Sequence, residues 1–112
     1  MPLKQISAII RADMLETVES RLRRFGVAGI TVTSTKGFGE YADVLVAPGG
    51  TFASARIDIL IDEEHTQQVV DVIMDAACTA IPGDGIVAVL PVDKLYRIRD
   101  RKELISMGLL RT

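Results

Sequence analysis

Two glycine-containing turns and a pair of arginines have the residue types best suited to bind an anionic ligand. The turns are Lys36–Gly39 and Pro82–Gly85, and Arg97 and Arg99 stand two positions apart near the carboxyl end. Glycine lets the backbone approach a ligand closely, exposed amides can bind phosphate oxygens, and arginine can neutralise their charge. The same turns could simply end strands, and the arginines could simply face solvent. Spacing alone leaves both interpretations open.

Length and composition predict one globular domain. The chain has 112 residues, of which 48% are hydrophobic and 25% charged, which suits a single modest core. Only 4% are aromatic, so Ile, Val, Leu and Ala must build that core. A net charge of -2 gives no reason to expect nucleic-acid binding, because proteins that bind nucleic acid usually carry a basic stripe.

Several classes of site are disfavoured. The single cysteine, Cys78, stands in an apolar helical pattern and is predicted to be a buried thiol. His65 has no second His or Cys nearby, so we predict a solvated helix residue and no metal site. No nucleophile is paired with a base, so no catalytic residue and no enzyme activity is predicted. Without a signal-like start or a long apolar run, the expected location is the cytoplasm.

The spacing of apolar residues predicts both strands and helices. Alternation marks the strands, and steps of three or four mark the helices. Asp13 and Glu16 have the spacing of a capping box at a helix start. The continuous apolar run at 86–92 predicts a buried strand, and from Arg101 the tail is amphipathic and helix-capable. The predicted elements are strand 3–11, a helix from Asp13 to Gly26, strands 29–35 and 53–61, a helix from Asp62 to about Thr79, and strands 86–92 and 94–99.

This order predicts a ferredoxin-like α+β fold, in which an antiparallel sheet carries both helices on one face. Between the second and third strands the periodicity disappears over residues 39–52, so we expect a loop with a function or with mobility. The other sheet face needs a cover, and a second copy of the chain is the simplest one. The apolar residues of the tail are expected to pack on this subunit or on a neighbour: Leu104, Ile105, Leu109 and Leu110.

These residues resemble the PII nitrogen-regulatory signalling proteins. Residues 7–11 are similar to the family's opening strand, 29–33 and 36–39 to its second strand and turn, 83–85 to its B-loop, and 96–99 to its C-terminal strand. The resemblance implies a βαββαβ homotrimer with an adenine nucleotide, ADP, AMP or ATP, in each cleft between subunits. It also implies a T-loop at about 39–52 that contacts a membrane transporter or metabolic enzyme, a B-loop at about 79–86, and a C-terminal segment 100–112.

The resemblance also assigns the residues of the cleft. The base or ribose would lie near Thr31 and Gly37, and near Asp58 and Leu60 on the third strand. Backbone amides of the B-loop would hold the phosphates, and the two arginines would reach in as cations. The nucleotide-binding residues would then be Thr31, Gly37, Phe38, Gly39, Asp58, Leu60, Gly83, Asp84, Gly85, Arg97 and Arg99.

The chain departs from the family pattern at the phosphate and effector positions. The family's B-loop usually continues with a lysine, where Ile86 stands here, so phosphate affinity should fall. Glu40 and Tyr41 replace the usual Arg-Gln, and Ser54 aligns with the lysine that holds 2-oxoglutarate. We therefore expect a member that favours ADP or AMP over Mg-ATP, with magnesium only if ATP binds. We do not expect the usual response to 2-oxoglutarate or uridylylation.

Two other functions stay open at this point. One is a sensor of carbon status that holds bicarbonate or another small anion together with a nucleotide. The other is a structural or metal-responsive trimer of the CutA type, against which the lone His65 and Cys78 argue.

Overall fold

A four-stranded antiparallel sheet carries two helices on one face. The computed structural model describes residues 2–37 and 52–110. The strand order in the main sheet is β2-β3-β1-β4, which confirms the predicted ferredoxin-like arrangement. The elements are β1 Leu3–Arg11, a 3-10 turn Ala12–Met14, α1 Leu15–Phe25, β2 Thr31–Gly37, β3 Phe52–Asp62, α2 Glu63–Ala77, β4 Gly85–Val92, β5 Tyr96–Arg97 and β6 Lys102–Glu103.

The core lies between the sheet and the helices. Alternate residues of β1 and β3 point into it, and one face of each helix covers them. Each buried aliphatic side chain stabilises the fold by about 1.5–3 kcal/mol. The largest fully buried side chains are those of Ile6, Val18, Leu22, Ile57, Ile59, Ile61, Val69 and Ile73. The intervening residues of these strands, with the residues of β2 and β4 that pair with them, therefore form a second face, which neither described helix covers; we call it the open face.

The start of α1 differs from the prediction. Asp13 caps no amide there; it accepts hydrogen bonds from the Nε and Nη2 atoms of Arg11, at 3.2 and 3.3 Å. The 3-10 turn places Asp13 ahead of the α-helix, which begins only at Leu15, so the capping-box prediction is wrong. The end of α1 is as expected, because Gly26 adopts a left-handed conformation with φ 105°.

Two predictions of burial are wrong. Cys78 is exposed, because it follows the last residue of α2 in extended conformation, outside the helical face that covers the sheet. β4 was predicted to be a buried strand, but in the described sheet it pairs only with β1. Its Ile86 and Leu90 lie on the open face and are 43% and 41% exposed. An edge strand has fewer neighbours to cover it, and its sequence of apolar residues cannot reveal that position.

The carboxyl-terminal part does not form a long strand and a helix. It forms a hairpin and then a segment that runs back toward α1, residues 106–110, which we call the return segment. Only Tyr96–Arg97 of the predicted strand 94–99 is extended, and it pairs with Lys102–Glu103. The chain then returns to α1, where Leu109 pairs with Val27 and packs on the core. The expected packing is thus confirmed for Leu109, and the helix-capable tail is not helical.

None of the helices in the described ranges is long and apolar enough to cross a bilayer.

Candidate functional site

Three predicted site residues lie together in a groove on the open face. Thr31 stands opposite Asp58 in the pairing of β2 with β3, and Leu60 stands opposite Gln5 in the pairing of β3 with β1. Because side chains alternate along a strand, all of these project from the same face. The groove has a volume of about 440 Å³ and is lined by these residues, by 28–30 and by Met107. It offers one hydroxyl, one carboxylate, one amide and apolar walls.

Asp58 is the charged group of this groove, and it is held from two sides. Its carboxylate accepts hydrogen bonds from Gln5 Nε2 at 3.3 Å and from Arg56 Nε at 3.0 Å. The side chain is 18% exposed, so the carboxylate still faces the groove. A carboxylate can accept about four hydrogen bonds, so Asp58 retains capacity for a hydroxyl or amino group of a ligand.

The B-loop is organised by its own aspartate. The carboxylate of Asp84 accepts hydrogen bonds from the backbone amides of Thr79 and Ala80, at 2.7 and 3.1 Å, and from the Thr79 hydroxyl. Burial acts to raise the pKa of Asp84, but these bonds and the charge of Arg11 bring it below its ordinary value. Asp84 therefore shapes the loop, and its oxygens are already engaged within it.

The glycines of the two turns differ in what their positions require. Gly83 and Gly85 have φ values of 101° and 109°, which disfavour any other residue. A Cβ at Gly85 would overlap the carbonyl oxygen of Ile9, so β4 can meet β1 only through glycine. Gly37 has no such constraint, because a Cβ there would have no described heavy atom within 4 Å. Gly85 is needed for the fold itself, whereas no described neighbour restricts the residue type at Gly37.

The two arginines lie on the β5–β6 hairpin, not on alternate positions of one strand. Arg97 donates from Nε to both carboxylate oxygens of Asp100, at 3.1 and 3.2 Å, and from Nη2 at 2.5 Å. This hydrogen bonding raises the pKa of Arg97 and lowers that of Asp100. Arg99 is exposed in the turn that follows β5. The prediction of one strand with two projecting arginines is therefore wrong, because the chain reverses after Arg97.

The groove and the B-loop lie at opposite edges of the sheet. Thr31 is on β2 and Gly85 is on β4, with β3 and β1 between them. Three strand spacings, together with an offset along the strands, separate these positions by on the order of 17 Å. Within one subunit, the predicted contacts for the base and for the phosphates do not converge.

The chain and its fold match a known family. A family model described as Nitrogen regulatory protein P-II matches residues 3–102. The chain belongs to the PII family. The PII protein of Cyanidium caldarium is 36% identical over 101 residues, which are 85% of this chain and 89% of that protein. The PII protein of Synechocystis sp. is 34% identical over 103 residues, 87% of this chain and 92% of that protein.

Structure comparison agrees with the sequence match. A crystal structure of Arabidopsis thaliana PII bound to citrate superposes with a TM-score of 0.81 at 26% identity. The superposition covers 96% of this chain and 92% of that one. PII proteins are regulatory signalling proteins, so among the classes that the sequence left open the match supports signal transduction.

Part of the predicted PII site lies outside the described residues. These positions are Phe38, Gly39, Glu40 and Tyr41, together with the predicted T-loop up to residue 51. Ser54, at the base of that loop, is buried, and its hydroxyl lies 2.6 Å from the hydroxyl of Thr35. The Ser54 side chain is thus paired within the sheet.

The PII chain also contains a polar cluster that sequence reasoning missed. Asp62, Glu64 and His65 offer ligand atoms within 4.8 Å of one another. His65 was predicted to be solvated, but its side chain is only 23% exposed, and Nε2 lies 3.5 Å from Glu64. The carboxylate of Asp62, however, accepts hydrogen bonds from three residues near the carboxyl end: Ser106, Met107 and Gly108. Its oxygens are used in holding the chain rather than left free for an ion.

Met107 and Gln5 are further groove residues that the sequence did not single out. The sequence pattern around Gln5 indicates only a polar residue in a strand. Its distance from Asp58 along the sequence does not indicate that the two side chains touch. Met107 lies in a tail that was expected to be helical. Neither position carries a local signal, because both reach the groove only through the tertiary fold.

Proposed function

We propose that this PII-family chain binds an adenine nucleotide between the subunits of a homotrimer and signals the bound state to a partner protein through the T-loop. The observation that carries the proposal is the groove that gathers Thr31, Asp58 and Leu60 on the open face. The B-loop, at the opposite edge of the sheet, would complete the site from a neighbouring subunit. Each cleft would then contain one groove and one B-loop.

The surface of the isolated subunit supports association. The open face carries apolar residues of three strands, among them Ile9, Leu60, Ile86 and Leu90. The hairpin adds Ile98, which is 92% exposed. Exposed apolar residues grouped on one face are typical of an interface. We propose that residues 1–112 form one domain and that copies of it cover one another.

The chemistry of the residues suits the parts of a nucleotide. The Asp58 carboxylate and the Thr31 hydroxyl can hydrogen-bond to a ribose or to an amino group, and Leu60 can pack on a base. Turn amides of the B-loop at Gly83 and Gly85 can face phosphate oxygens. Arg97 and Arg99 would supply positive charge, with Arg97 sharing or exchanging its contact with Asp100.

The proposed preference is for ADP or AMP over Mg-ATP. Ile86 supplies no charge beside the B-loop, and Glu40 would repel a third phosphate. Magnesium would accompany ATP only. Glu40, Tyr41 and Ser54 form the proposed effector or partner region, and the absence of a lysine at position 54 removes the charge expected to hold 2-oxoglutarate. The partner would be a membrane transporter or a metabolic enzyme met in the cytoplasm, and the chain would bind its ligand without turnover.

Calorimetry with separate Arg97→Ala and Arg99→Ala variants tests the proposal. The wild-type protein should bind ADP or AMP more tightly than ATP. Each variant should bind about 10- to 100-fold more weakly, because a hydrogen bond to a charged group contributes about 1.5–3 kcal/mol. Arg21→Ala is the matched control, since Arg21 is exposed on α1 and away from the open face. Light scattering should find a trimer for all four proteins.

Unchanged affinity in both hairpin variants would contradict the assigned phosphate contacts. Tight binding of 2-oxoglutarate in the presence of Mg-ATP would contradict the proposed preference.

A second candidate function is the sensing of a small anion together with a nucleotide. The Arabidopsis relative is bound to citrate, which is a small carboxylate anion. Ile86 stands where the family usually has a lysine, so a small anion could occupy the space that the lysine would fill near the phosphates. Titration of citrate or bicarbonate into the ADP-loaded protein would test it, with binding that depends on ADP as the expected outcome.

A further inference from the structure

We propose that Met107 forms a wall of the nucleotide groove and that Asp62 is the positioning residue that holds it there. This inference rests on the proposed function and adds to it a binding residue from the return segment, residues 106–110. The two residues act together, because Asp62 fixes the backbone of the segment and the Met107 side chain contacts the ligand.

Asp62 holds the beginning of the return segment. Its carboxylate accepts hydrogen bonds from the Ser106 hydroxyl and from the backbone amides of Met107 and Gly108, each at 3.0 Å. Asp62 is only 2% exposed and stands at the junction of β3 and α2. Charge-assisted hydrogen bonds to a buried carboxylate are strong and directional. The backbone on both sides of the Met107 Cα is therefore held by one rigid group.

The end of the return segment is held by the chain that leaves α1. Leu110 N–H donates to the carbonyl oxygen of Gly26 at 2.6 Å, and Leu109 pairs with Val27. The approach is close, because a Cβ at Gly26 would overlap the Leu110 carbonyl oxygen. Met107 thus lies between two anchors, so its position in the groove does not depend on a free tail.

The side chain of Met107 completes the groove chemically. Thr31 and Asp58 give the groove a polar side, and Leu60 gives it one apolar side. Met107, which is half-buried, adds a second apolar surface from outside the sheet. A thioether makes favourable contacts with aromatic rings, and its flexible side chain adapts to a flat ligand. An aromatic base could lie against Met107 and Leu60 while its polar edge, or the ribose, meets Asp58.

The hairpin that carries the arginines closes just before the return segment begins. Leu104 N–H donates to the Leu95 carbonyl oxygen at 2.7 Å and closes the base of the hairpin, two residues before Ser106.

The test uses the wild-type chain labelled with carbon-13 at its methionine methyl groups and titrated with ADP. The four methyl signals come from Met1, Met14, Met74 and Met107, and a Met107→Leu variant assigns the last one. The Met107 signal should shift most on binding. Met107→Ala should bind ADP roughly 3- to 10-fold more weakly, the loss expected for one thioether contact with a ring. Ile105→Ala is the control, since Ile105 is 73% exposed and outside the groove.

The role of Asp62 is tested by the Asp62→Asn variant. The Met107 methyl signal should move before any ADP is added, and its further shift with ADP should shrink, while the Met14 signal stays in place. A merely structural role would alter thermal stability without changing the Met107 signal selectively.

The outcomes separate the two claims. ADP binding by the wild type without a Met107 shift, and with unchanged affinity in Met107→Ala, would overturn this inference and leave the proposed function standing. Failure of the wild type to bind ADP, AMP or ATP would overturn the proposed function and this inference with it.

Discussion

Asp84 in the B-loop and Asp58 in the groove were assigned to the same ligand, but they differ in how their oxygens are used. Asp84 accepts hydrogen bonds from Thr79 and Ala80 of its own loop. Asp58 is held laterally by two side chains and retains exposure to the groove. The B-loop can therefore offer a ligand its backbone, whereas the groove offers side chains. Substitutions should affect stability at the first region and binding at the second.

The largest expected effect on the B-loop side of this comparison comes from Gly85→Ala. The new Cβ would meet the Ile9 carbonyl oxygen, and the positive φ adds backbone strain. We expect a loss of unfolding free energy of about 2–4 kcal/mol, measured by urea denaturation. Gly37→Ala is the control, and it should change stability by less than about 1 kcal/mol, since its Cβ would meet no heavy atom of the described residues within 4 Å. Equal effects would contradict the distinction between the two turns.

A smaller loss of stability is expected when Asp84 or Asp58 is replaced separately by alanine. Asp84→Ala leaves the Thr79 and Ala80 amides without their acceptor and should cost about 1–3 kcal/mol of unfolding free energy. Asp58→Ala should cost less than about 1 kcal/mol, because its partners Gln5 and Arg56 can turn to water. Its ADP affinity should nevertheless fall by about tenfold. Urea denaturation measures the stability of both variants, and calorimetry measures their ADP affinity. A larger loss of stability in Asp58→Ala than in Asp84→Ala would contradict the prediction.

The smallest expected effect is the dependence of stability on pH through Asp62. Burial acts to raise its pKa, but the hydrogen bonds from Met107, Gly108 and Ser106 bring it below the ordinary 3.8. A lowered pKa in the folded state means that the carboxylate stabilises the fold above pH 3.8 and loses this contribution as pH falls further. Asp62→Asn should flatten the curve of unfolding free energy against pH below that value. If the unfolding free energy of the variant fell with pH as steeply as that of the wild type, other carboxylates would account for the acid sensitivity.

Much of the fold could be predicted because it depends on local patterns. The alternation of Ile57, Ile59 and Ile61 defines a strand with one buried side, and the spacing of Val69 and Ile73 defines the buried side of α2. The left-handed end of α1 at Gly26 also follows from the residue type alone. In contrast, β4 and the residues after Arg97 were misjudged, because apolar content does not indicate whether a strand lies at an edge or where it reverses.

The site was predictable only in part. Thr31, Asp58 and Leu60 were named from the family resemblance, and the register of β2, β3 and β1 brings them together. Met107 could not be found in this way, since its contact with the groove depends on an anchor far away in sequence. Gly85 was named for a ligand, while its left-handed φ and its contact with Ile9 give it a structural role as well.

The sequence by itself determined the elements from β1 to β4, the two faces of the sheet and the family, because these depend on residue types at short, regular spacing. Only the tertiary structure decided that the groove and the B-loop stand at opposite edges, and that Asp62 binds Ser106 across 44 residues of chain. Periodicity specifies which side of an element is buried. Which distant backbone amide meets a buried carboxylate is decided when the elements pack, because only packing brings those donors within hydrogen-bonding distance.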